Sequence, residues 1–439
     1  MRGKVKSVVF GMAISFVLFT AGILKSEESP QTGQPEFAAR NPQLEAYIKQ
    51  ALDRNPGIRQ SFARYQAAVQ RLPQVSSLPD PVLSLTQYLR SPETRVGPQT
   101  TMLSLSQKLP WFGKLSDREK VAAKEAAVLR SIHEAQKAEV IRQVKLAYYS
   151  IGYVDRAIDI TNEDMSVLEH FEALAQARYQ QGIGLQQAVV KLQAEITRDQ
   201  NRLEELKRQR VDLETTVNSL RDLPSYSSVD KVPQEERPKI EINLDNLYKV
   251  GRNNRPEIQA ALLQIEKDEK RIQLARKNYW PDITIGAGFT NVMDRSDLPG
   301  VLNPPDQNGK NIFNVTASIN IPIRRKKYDA AVAEATQEKL ASSEGYRNIV
   351  NAMEASVRAI GFRIETTDRQ ISLFENTLLP QADQALRSTE AAYSTGTMGV
   401  LDVLDSERVL LDVRLGLAKL NSDYMKSLAE MERAIGAPF

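Results

Sequence analysis

The stretch Trp280-Pro281-Asp282, followed by an alternating segment from Ile283 to Phe289, decides the fold, because an earlier stretch of the chain has the same form. Leu78-Pro79-Asp80 also leads into an alternating segment. Further matched stretches lie about 200 to 214 residues apart: Asn55-Pro56-Gly57-Ile58 with Arg255-Pro256-Glu257-Ile258, and Tyr179-Gln180-Gln181-Gly182 with Tyr393-Ser394-Thr395-Gly396. A repeat of this length indicates a duplicated supersecondary unit rather than a solenoid period of roughly 20 to 50 residues.

Composition limits the class of protein. The 439 residues are 41% hydrophobic and 26% charged, and 58 basic residues balance 55 acidic ones to give a net charge of +3. A nucleic-acid-binding protein needs a basic domain or stripe, so this balance argues against nucleic acid as a partner. Cysteine is absent. This excludes disulfides, thiolate metal sites and thiol catalysis.

The N-terminus has the pattern of a secretory signal peptide, which we place at residues 1–26. A basic segment with Arg2, Lys4 and Lys6 precedes a largely apolar run from Val8 to Leu24. The alternative is an uncleaved N-terminal anchor. No later segment contains 18 consecutive apolar residues, so the sequence predicts an exported chain whose further membrane contact comes from strands.

The repeat divides the rest of the chain into two units and a connector. The first unit, residues 41–222, contains helices, a β-hairpin at 82–109 and a long helical hairpin at 115–220. Residues 223–243 form an irregular connector placed at mid-height. The second unit, residues 244–439, has a β-hairpin at 282–321 and a long helical hairpin at 327–435. The predicted fold class is therefore mainly α with a transmembrane β-barrel portion.

The four predicted strands have alternating apolar and small polar residues. In the segment from Ile283 to Thr290 the apolar side chains lie on one face and Thr284, Gly286 and Gly288 on the other. This pattern and a length of about 8 to 11 residues suit tilted transmembrane strands. A soluble hairpin on a helical core would have the same pattern. Because an open strand edge is not tolerated in hydrocarbon, membrane insertion requires several chains to share one barrel.

Aromatic residues flank the β region at one end. Trp111 and Phe112 follow the second strand, and Tyr279 and Trp280 precede the third. Such positions are typical of the aromatic girdle at a membrane interface. Lys114 and the run from Arg324 to Lys327 lie just beyond, where we expect them to meet lipid headgroups. The alternative for the basic run is a solvated helix start.

The helical tracts are too long for a globular domain. From Leu115 to Gln181 no proline interrupts the chain. An apolar ladder with 3/4 spacing predicts coiled-coil packing, with a gap at Thr161; it comprises Val140, Val144, Ala147, Ile151, Val154, Ile158, Met165 and Leu168. A 65-residue helix is roughly 100 Å long. Pro380 should bend the long helix of the second unit.

These features resemble the TolC-like outer-membrane efflux proteins, and within them the branch associated with heavy-metal and related resistance-nodulation-division (RND) pumps. The resemblance covers about Asn41 to Ile435. It rests on the repeated order of elements, on the strand-to-helix turn Ser106-Gln107-Lys108-Leu109-Pro110-Trp111-Phe112-Gly113-Lys114, and on Tyr393-Ser394-Thr395-Gly396 followed by Leu401-Asp402-Val403-Leu404-Asp405. Many relatives in this branch carry a lipidated cysteine, which this chain lacks.

The resemblance implies a homotrimer in the outer membrane with a long periplasmic portion. Its protomers would share one twelve-stranded β-barrel and an α-helical tunnel (an α-barrel). The implied partners are outer-membrane lipid, a periplasmic adaptor protein and an inner-membrane RND or ABC transporter. An adaptor hairpin is expected to dock on the helix tips, at Gly182, Ile183, Gly184, Leu185, Gly396, Met398, Gly399 and Val400.

Asp402 and Asp405 are the candidate periplasmic gate. They are three residues apart, so one helix face carries both. In a trimer six carboxylates would then surround the narrow end of the tunnel, where such a ring favours cations. The alternative is that these acids only stabilise the helix N-terminus.

A conduit needs no catalytic group, and the sequence suggests no enzyme, metal site or cofactor. His133 and His170 have no second ligand at helical spacing and are interpreted as polar surface residues. The favoured function is the passive exit duct of a tripartite efflux pump. The alternatives are the duct of a type I protein-secretion system and a soluble periplasmic coiled-coil scaffold.

Overall fold

The computed structural model describes residues 41–235 and 237–439. The predicted signal peptide, residues 1–26, lies outside these residues. The first half contains α1 (Pro42–Arg54), α2 (Pro56–Ser76), β1 (Val82–Gln87), β2 (Gln99–Leu109), α3 (Lys114–Gln180) and α4 (Gln186–Leu220). The second half contains α5 (Leu244–Asn254), α6 (Pro256–Lys277), β3 (Ile283–Val292), α7 (Leu298–Leu302), β4 (Ile312–Ile319), α8 (Arg325–Leu373), a π-helical turn (Phe374–Leu378), α9 (Leu379–Ser394) and α10 (Val400–Ile435).

Local sequence fixes the starts of the short helices. The side chains of Asn41 and Asn55 accept hydrogen bonds from backbone N–H groups in the first turns of α1 and α2. Pro42, Pro56 and Pro256 occupy the first helical positions, where a missing N–H costs nothing. The short helix α2 packs on α3, and α6 packs on both α3 and α8.

The four strands form one antiparallel sheet in the order β1-β2-β3-β4. β2 and β3, which come from different halves of the chain, pair in the centre of the sheet. β1 ends at Gln87, and the long loop between β3 and β4 contains the short helix α7. The outer edges of β1 and β4 have no strand partner within the described part of the chain.

The long helices build the rest of the molecule. α3 has 67 residues, which corresponds to about 100 Å. It packs against α4 and α10, and α8 and α9 pack against α10. The apolar core is divided into separate clusters along these helices rather than gathered in one centre.

The buried seam of α3 differs from the predicted ladder. Ala157, Thr161 and Asp164 are buried, whereas Ile158 and Met165 are only partly covered. Thr161 fills a seam position because its hydroxyl donates a hydrogen bond of 2.8 Å to the carbonyl oxygen of Ala157. The predicted gap at Thr161 is therefore an occupied core position.

The connector lies across the long helices. Asp155 of α3 accepts hydrogen bonds from the backbone N–H of Val232 at 3.0 Å and from Nε of Arg210 at 2.6 Å. Further along, the hydroxyl of Tyr424 on α10 donates to the carbonyl oxygen of Pro238 at 2.8 Å. These contacts tie the connector to α3, α4 and α10.

Pro380 lies just after the π-helical turn Phe374–Leu378. The backbone N–H of Leu379 bonds to the carbonyl oxygen of Phe374, five residues earlier. A π-helical turn absorbs a residue that cannot continue the α-helical hydrogen-bond ladder. The ring of Phe374 lies against Gly416 of α10, where an added Cβ would be only 2.9 Å from the ring.

A membrane-spanning helix needs a long and strongly apolar stretch. Within residues 41–235 and 237–439, no helix is both long enough and apolar enough to cross a membrane.

Candidate functional site

The register of the sheet lines up its apolar side chains in rows across all four strands. One row runs from Leu83 through Leu105 and Ala287 to Val315. The next row contains Leu85, Leu103, Phe289 and Phe313. Val315 is 82% exposed, and the outer leucines are exposed as well. The sheet therefore presents one continuous apolar face to its surroundings.

The opposite face of the sheet is mostly small and polar, apart from Val82, Met102 and Ile312. Its rows contain Ser84, Ser104, Gly288 and Asn314, and beside them Ser106, Gly286 and Thr316. An added Cβ at Gly288 would lie 2.1 Å from Oδ1 of Asn314, so this side chain lies over the glycine. Apolar and polar faces of this kind suit strands with lipid on one side and water on the other.

The two tryptophans meet at one end of the sheet. Their rings stack with centroids 5.1 Å apart and an interplanar angle of 9°. Phe112 packs edge-on against Trp111 at 5.7 Å and is largely exposed. Tyr279 lies in a neighbouring group, where its ring packs on Tyr328 at 5.5 Å and its hydroxyl bonds to Asp329.

An ion pair beneath the tryptophans joins the two hairpins. Nζ of Lys114 donates to Oδ1 of Asp282 at 2.7 Å and to the carbonyl oxygen of Trp280 at 2.8 Å. Asp282 also accepts from the backbone N–H of Trp111 at 3.1 Å. Lys114 is only 4% exposed, so the expectation that it meets lipid headgroups is wrong. Arg324 to Lys327 are exposed.

The α3–α4 tip is a tight glycine turn. Gly182 has a φ of 76°, and the backbone N–H groups of Ile183 and Gly184 both bond to the carbonyl oxygen of Arg178 at 3.1 Å. A Cβ at Gly184 would lie 2.9 Å from the backbone nitrogen of Tyr179, so only glycine fits there. Ile183 and Leu185 are exposed. The turn therefore presents two apolar side chains at the end of the molecule.

The α9–α10 tip repeats this geometry with one exception. Gly396 has a φ of 79°, and Met398 and Leu401 are exposed. Gly399 has an ordinary extended conformation, and a Cβ added there would be in van der Waals contact with Oδ2 of Asp402 at 3.6 Å. Val400 is buried in a core cluster with Phe171. Contrary to the expectation, it is therefore not part of the exposed tip.

The two tips are fastened side by side. A guanidinium nitrogen of Arg178 donates to the carbonyl oxygen of Ser394 at 2.9 Å, and the same group lies 4.5 Å from the ring centre of Tyr393. Tyr393 also packs edge-on against Phe171 at 6.2 Å. The two aromatic-x-x-Gly motifs thus differ, because Tyr393 is buried whereas Tyr179 is exposed.

Asp402 and Asp405 lie exposed on one face of α10, in its first turns. Oδ2 of Asp402 accepts a hydrogen bond from the backbone N–H of Gly399 at 3.0 Å. Asp402 therefore caps its own helix, as the alternative interpretation requires. This contact leaves its charge on the surface, where Asp405 adds a second one.

The histidines lie apart. Nδ1 of His133 is 2.8 Å from the hydroxyl of Ser61, and His170 is exposed. No group of three or more histidine, cysteine or acidic side chains with metal-binding geometry occurs among the described residues.

Comparison with known proteins identifies the class of protein to which this chain belongs. A family model described as outer membrane efflux protein matches residues 47–221 and 247–437. The chain belongs to this family. The two matched segments fall on the two halves of the chain that contain one β-hairpin and one long helical hairpin each.

Among curated relatives, the cation efflux system protein CusC of Escherichia coli K12 is 24% identical over 95% of this chain and 91% of its own length. Nodulation protein T of Rhizobium leguminosarum bv. trifolii is 21% identical over 92% of this chain and 87% of its own length. The outer membrane protein TolC of Vibrio cholerae is 26% identical, but this match spans only 40% of each chain.

Solved structures agree on the fold. The outer-membrane channel OprN superposes with a TM-score of 0.76 at 15% identity, over 90% of each chain. CusC superposes with a TM-score of 0.73 at 19% identity, over 91% of this chain and 93% of that one. The predicted fold class, a helical barrel with a β-barrel portion, is thereby confirmed.

Proposed function

We propose that this protein is the exit duct of a tripartite efflux pump. Three copies form a passive channel through the outer membrane, with the long helices in the periplasm. The channel receives substrate from a periplasmic adaptor and an inner-membrane RND or ABC transporter, which supplies the energy. The family assignment supports the general role in outer-membrane efflux.

The single observation that carries the proposal is the open sheet with one apolar face. Unpaired backbone groups are costly in a bilayer, so β1 and β4 need strand partners there. The simplest partners are β4 and β1 of neighbouring copies. Three copies of a four-stranded sheet give three times four, or twelve, strands in a closed barrel. A soluble scaffold would instead leave the rows containing Leu85 and Val315 in water, where exposed apolar patches of this kind favour aggregation.

The tips support the adaptor contact. Ile183, Leu185, Met398 and Leu401 are exposed apolar side chains at the ends of the two long hairpins. Contact between Arg178 and Ser394 holds these ends together. A partner's helical hairpin can bury such side chains in the way that amphipathic helices occupy apolar grooves.

Cross-linking of the strand edges tests the trimer. The chain has no cysteine, so Ser84→Cys on β1 and Asn314→Cys on β4 introduce the only thiols. Both positions lie on the polar face and in the same row. A flexible bifunctional maleimide should produce dimers and trimers on a denaturing gel and nothing larger.

Two controls test whether the cross-links join the β1 edge of one copy to the β4 edge of the next. Each single-cysteine variant should yield no closed trimer, because the reagent then lacks a thiol on the other edge. The purified protein should also give stepwise ionic currents in planar bilayers. Monomers alone, or a ladder that continues beyond three chains, would contradict the proposed ring.

A further inference from the structure

The interface between α3 and α4 contains a layer of two acidic side chains. Near the tip, Leu168 and Phe171 of α3 share an apolar cluster with Val189 and Leu192 of α4. On the other side, Ala157 of α3 packs with Leu206 of α4. Between these two clusters the buried seam contains Asp164 on α3 and Asp199 on α4.

Cross-helix hydrogen bonds set the register that brings the two acids together. Gln193 of α4 donates to Glu172 of α3 at 2.9 Å, and Arg210 of α4 donates to Asp155 of α3 at 2.6 Å. The helices are antiparallel, so positions between these bonds pair in reverse order. Asp199 then lies opposite the turn of α3 that contains Asp164.

Both acids are buried and incompletely bonded. Asp164 is 8% exposed and Asp199 is 3% exposed. Oδ2 of each residue is fully covered and has no hydrogen-bond partner. In the register set by the cross-helix hydrogen bonds, the two unbonded oxygens belong to the same layer of the α3–α4 interface. A single proton on one carboxyl would satisfy both oxygens, because the O–H group would donate to the facing oxygen.

The nearby arginines do not bond to the Oδ2 atom of either aspartate. Arg202 of α4 donates to Oδ1 of Asp199 at 2.8 Å and does not reach Oδ2. Arg198 is bonded at 2.6 Å to Glu195, which also pairs with Arg408 of α10. On α3 the adjacent Glu163 pairs with Arg156 at 3.7 Å and with Arg414 of α10 at 3.5 Å.

The third helix of this layer brings another acid rather than a base. Glu407 of α10, next to Arg408, is 3% exposed. Val403 and Leu404 on the preceding turn of α10 share the apolar cluster with Leu168 of α3. Helix α10 is antiparallel to α3, so Glu407 lies at about the level of Asp164.

We propose that Asp164 and Asp199 form a proton-binding site in which the two facing carboxyls share one proton. The bound proton holds α3 and α4 together at this layer. Its loss leaves two buried carboxylates in contact, which repel each other. The site lies 16 residues before the end of α3 at Gln180, about 24 Å from the tip. The packing of the tip hairpin therefore responds to pH.

The electrostatics of the pair agree with this geometry. Burial raises the pKa of Asp199, although Arg202 and Arg198 act in the opposite direction. Two carboxyls that share one site titrate as a pair, with one pKa strongly raised. The stabilisation is fully present below the unfolded pKa of aspartate and is lost as the pH rises through the raised value.

Infrared spectroscopy of the purified full-length protein tests the site directly. At a pH of about 6, exposed aspartates are ionised. The wild type should nevertheless retain protonated-carboxyl absorption, from the pair and from Glu407. The pair is therefore measured in the Glu407→Gln background, where Asp164→Asn and Asp199→Asn should each remove the remaining band. Potentiometric titration of the Asp164→Asn variant should show the loss of about one bound proton per chain.

Two controls separate this pair from other acids. Asp212→Asn changes an exposed aspartate on the same helix and should leave the band unchanged. Glu407→Gln removes the other buried acid and should leave the contribution of the pair in place. Each asparagine can donate an N–H to the remaining carboxylate, so both variants should fold.

Three results would overturn the shared proton. A wild-type spectrum without a protonated-carboxyl band at a pH of about 6 would contradict it, even if the variants failed to fold. Disappearance of the band only in Glu407→Gln would assign the proton to α10 instead. Stabilisation by added cations that is absent in Asp199→Asn would show two ionised carboxylates around a cation, which contradicts the shared proton.

Discussion

Lys114 at the start of α3 and Asp282 before β3 form a buried ion pair of 2.7 Å that joins the two β-hairpins. Asp282→Ala leaves the buried ammonium group without its carboxylate. Breaking a buried pair in this way costs about 3 to 5 kcal/mol. We expect a markedly lower thermal midpoint for the purified protein, measured by circular dichroism.

Lys108 provides the matched control for this pair. It lies 3.4 Å from the same carboxylate, but its side chain is 54% exposed. Exposed pairs contribute about 0 to 1 kcal/mol, so Lys108→Ala should hardly change the midpoint. Equal effects of Asp282→Ala and Lys108→Ala would show that burial of the pair does not stabilise the hairpins.

The apolar face of the sheet should not accept charge. Arginine at Ile285 or Val315 should cost about 2 to 4 kcal/mol near the bilayer midplane, because its charge would enter hydrocarbon. Arginine at the neighbouring positions Thr284 or Thr316 lies on the polar face and should be tolerated. The readout is the yield of membrane-inserted, heat-modifiable oligomer. Equal yields for both faces would exclude the assignment of lipid and lumen sides.

Neutralising Asp402 and Asp405 should reduce the preference of the channel for cations. Asparagine is the informative replacement at Asp402, because its side-chain oxygen can still accept from the N–H of Gly399 and preserve the helix cap. Reversal potentials in planar bilayers under a salt gradient measure the selectivity. We expect higher conductance and weaker cation selectivity in Asp402→Asn with Asp405→Asn. Asp212→Asn should have no effect, and unchanged currents in the double variant would refute the gate.

Glu407 should make the stability of the helical hairpins depend on pH. Burial and the nearby Asp412 raise its pKa from 4.5 to about 7, although Arg414 opposes the shift. The folded state therefore binds the proton more tightly than the unfolded state. This stabilisation is present below pH 4.5 and is lost as the pH rises through about 7.

Glu407→Gln should remove this part of the pH dependence and leave the contribution of Asp164 and Asp199. Above a pH of about 7 the wild type has to ionise a buried carboxyl, whereas the glutamine stays neutral. The variant should then have a free energy of unfolding higher by roughly 3 kcal/mol at most. Thermal midpoints measured across the pH range give the slope. A slope equal to that of the wild type would mean that Glu407 is already ionised in the folded protein.

A bulky charge at the second tip should block export without affecting assembly. A Cβ at Gly399 would meet no atom closer than Oδ2 of Asp402 at 3.6 Å, so Gly399→Arg should leave the turn intact while placing charge among the exposed apolar side chains. Cells that depend on the pump should then lose export. Gly184 is a poorer test, because any side chain there would collide with the backbone at Tyr179.

The glycine control lies on α8. Gly345 is exposed and has nothing within 4 Å of an added Cβ, so Gly345→Arg should preserve export. Both variants should form oligomers in the same amount as the wild type. Normal export by Gly399→Arg would rule out adaptor docking at this tip.

The repeated motifs were sufficient to predict the fold class, because each one reports a local physical requirement. Proline at position 56 or 256 predicts a helix start, and alternation from Ile283 onward predicts a strand. Trp111 and Trp280 were expected at the same end of the β region, and the structure adds that their rings stack. These features depend on neighbours in the chain and are therefore visible in the sequence.

Features that depend on packing between distant segments were missed or misinterpreted. Lys114 was expected at the lipid surface, since nothing local shows that Asp282 lies beside it. The packing of Phe374 against Gly416 was not foreseen either, because the two residues lie on different helices. Asp164 was missed because the predicted ladder assigned Met165 to this turn, whereas the buried seam contains Asp164.

The unpaired edges of β1 and β4 have a consequence for how the molecule is made. The helical hairpins contain their own apolar clusters within one chain, so their stability does not require a second copy. In the proposed trimer the sheet completes its backbone hydrogen bonds only when the edges of neighbouring copies meet, which makes its stability depend on protein concentration. Folding of the helices and closure of the sheet are thus separable events, and a dilute chain stops between them.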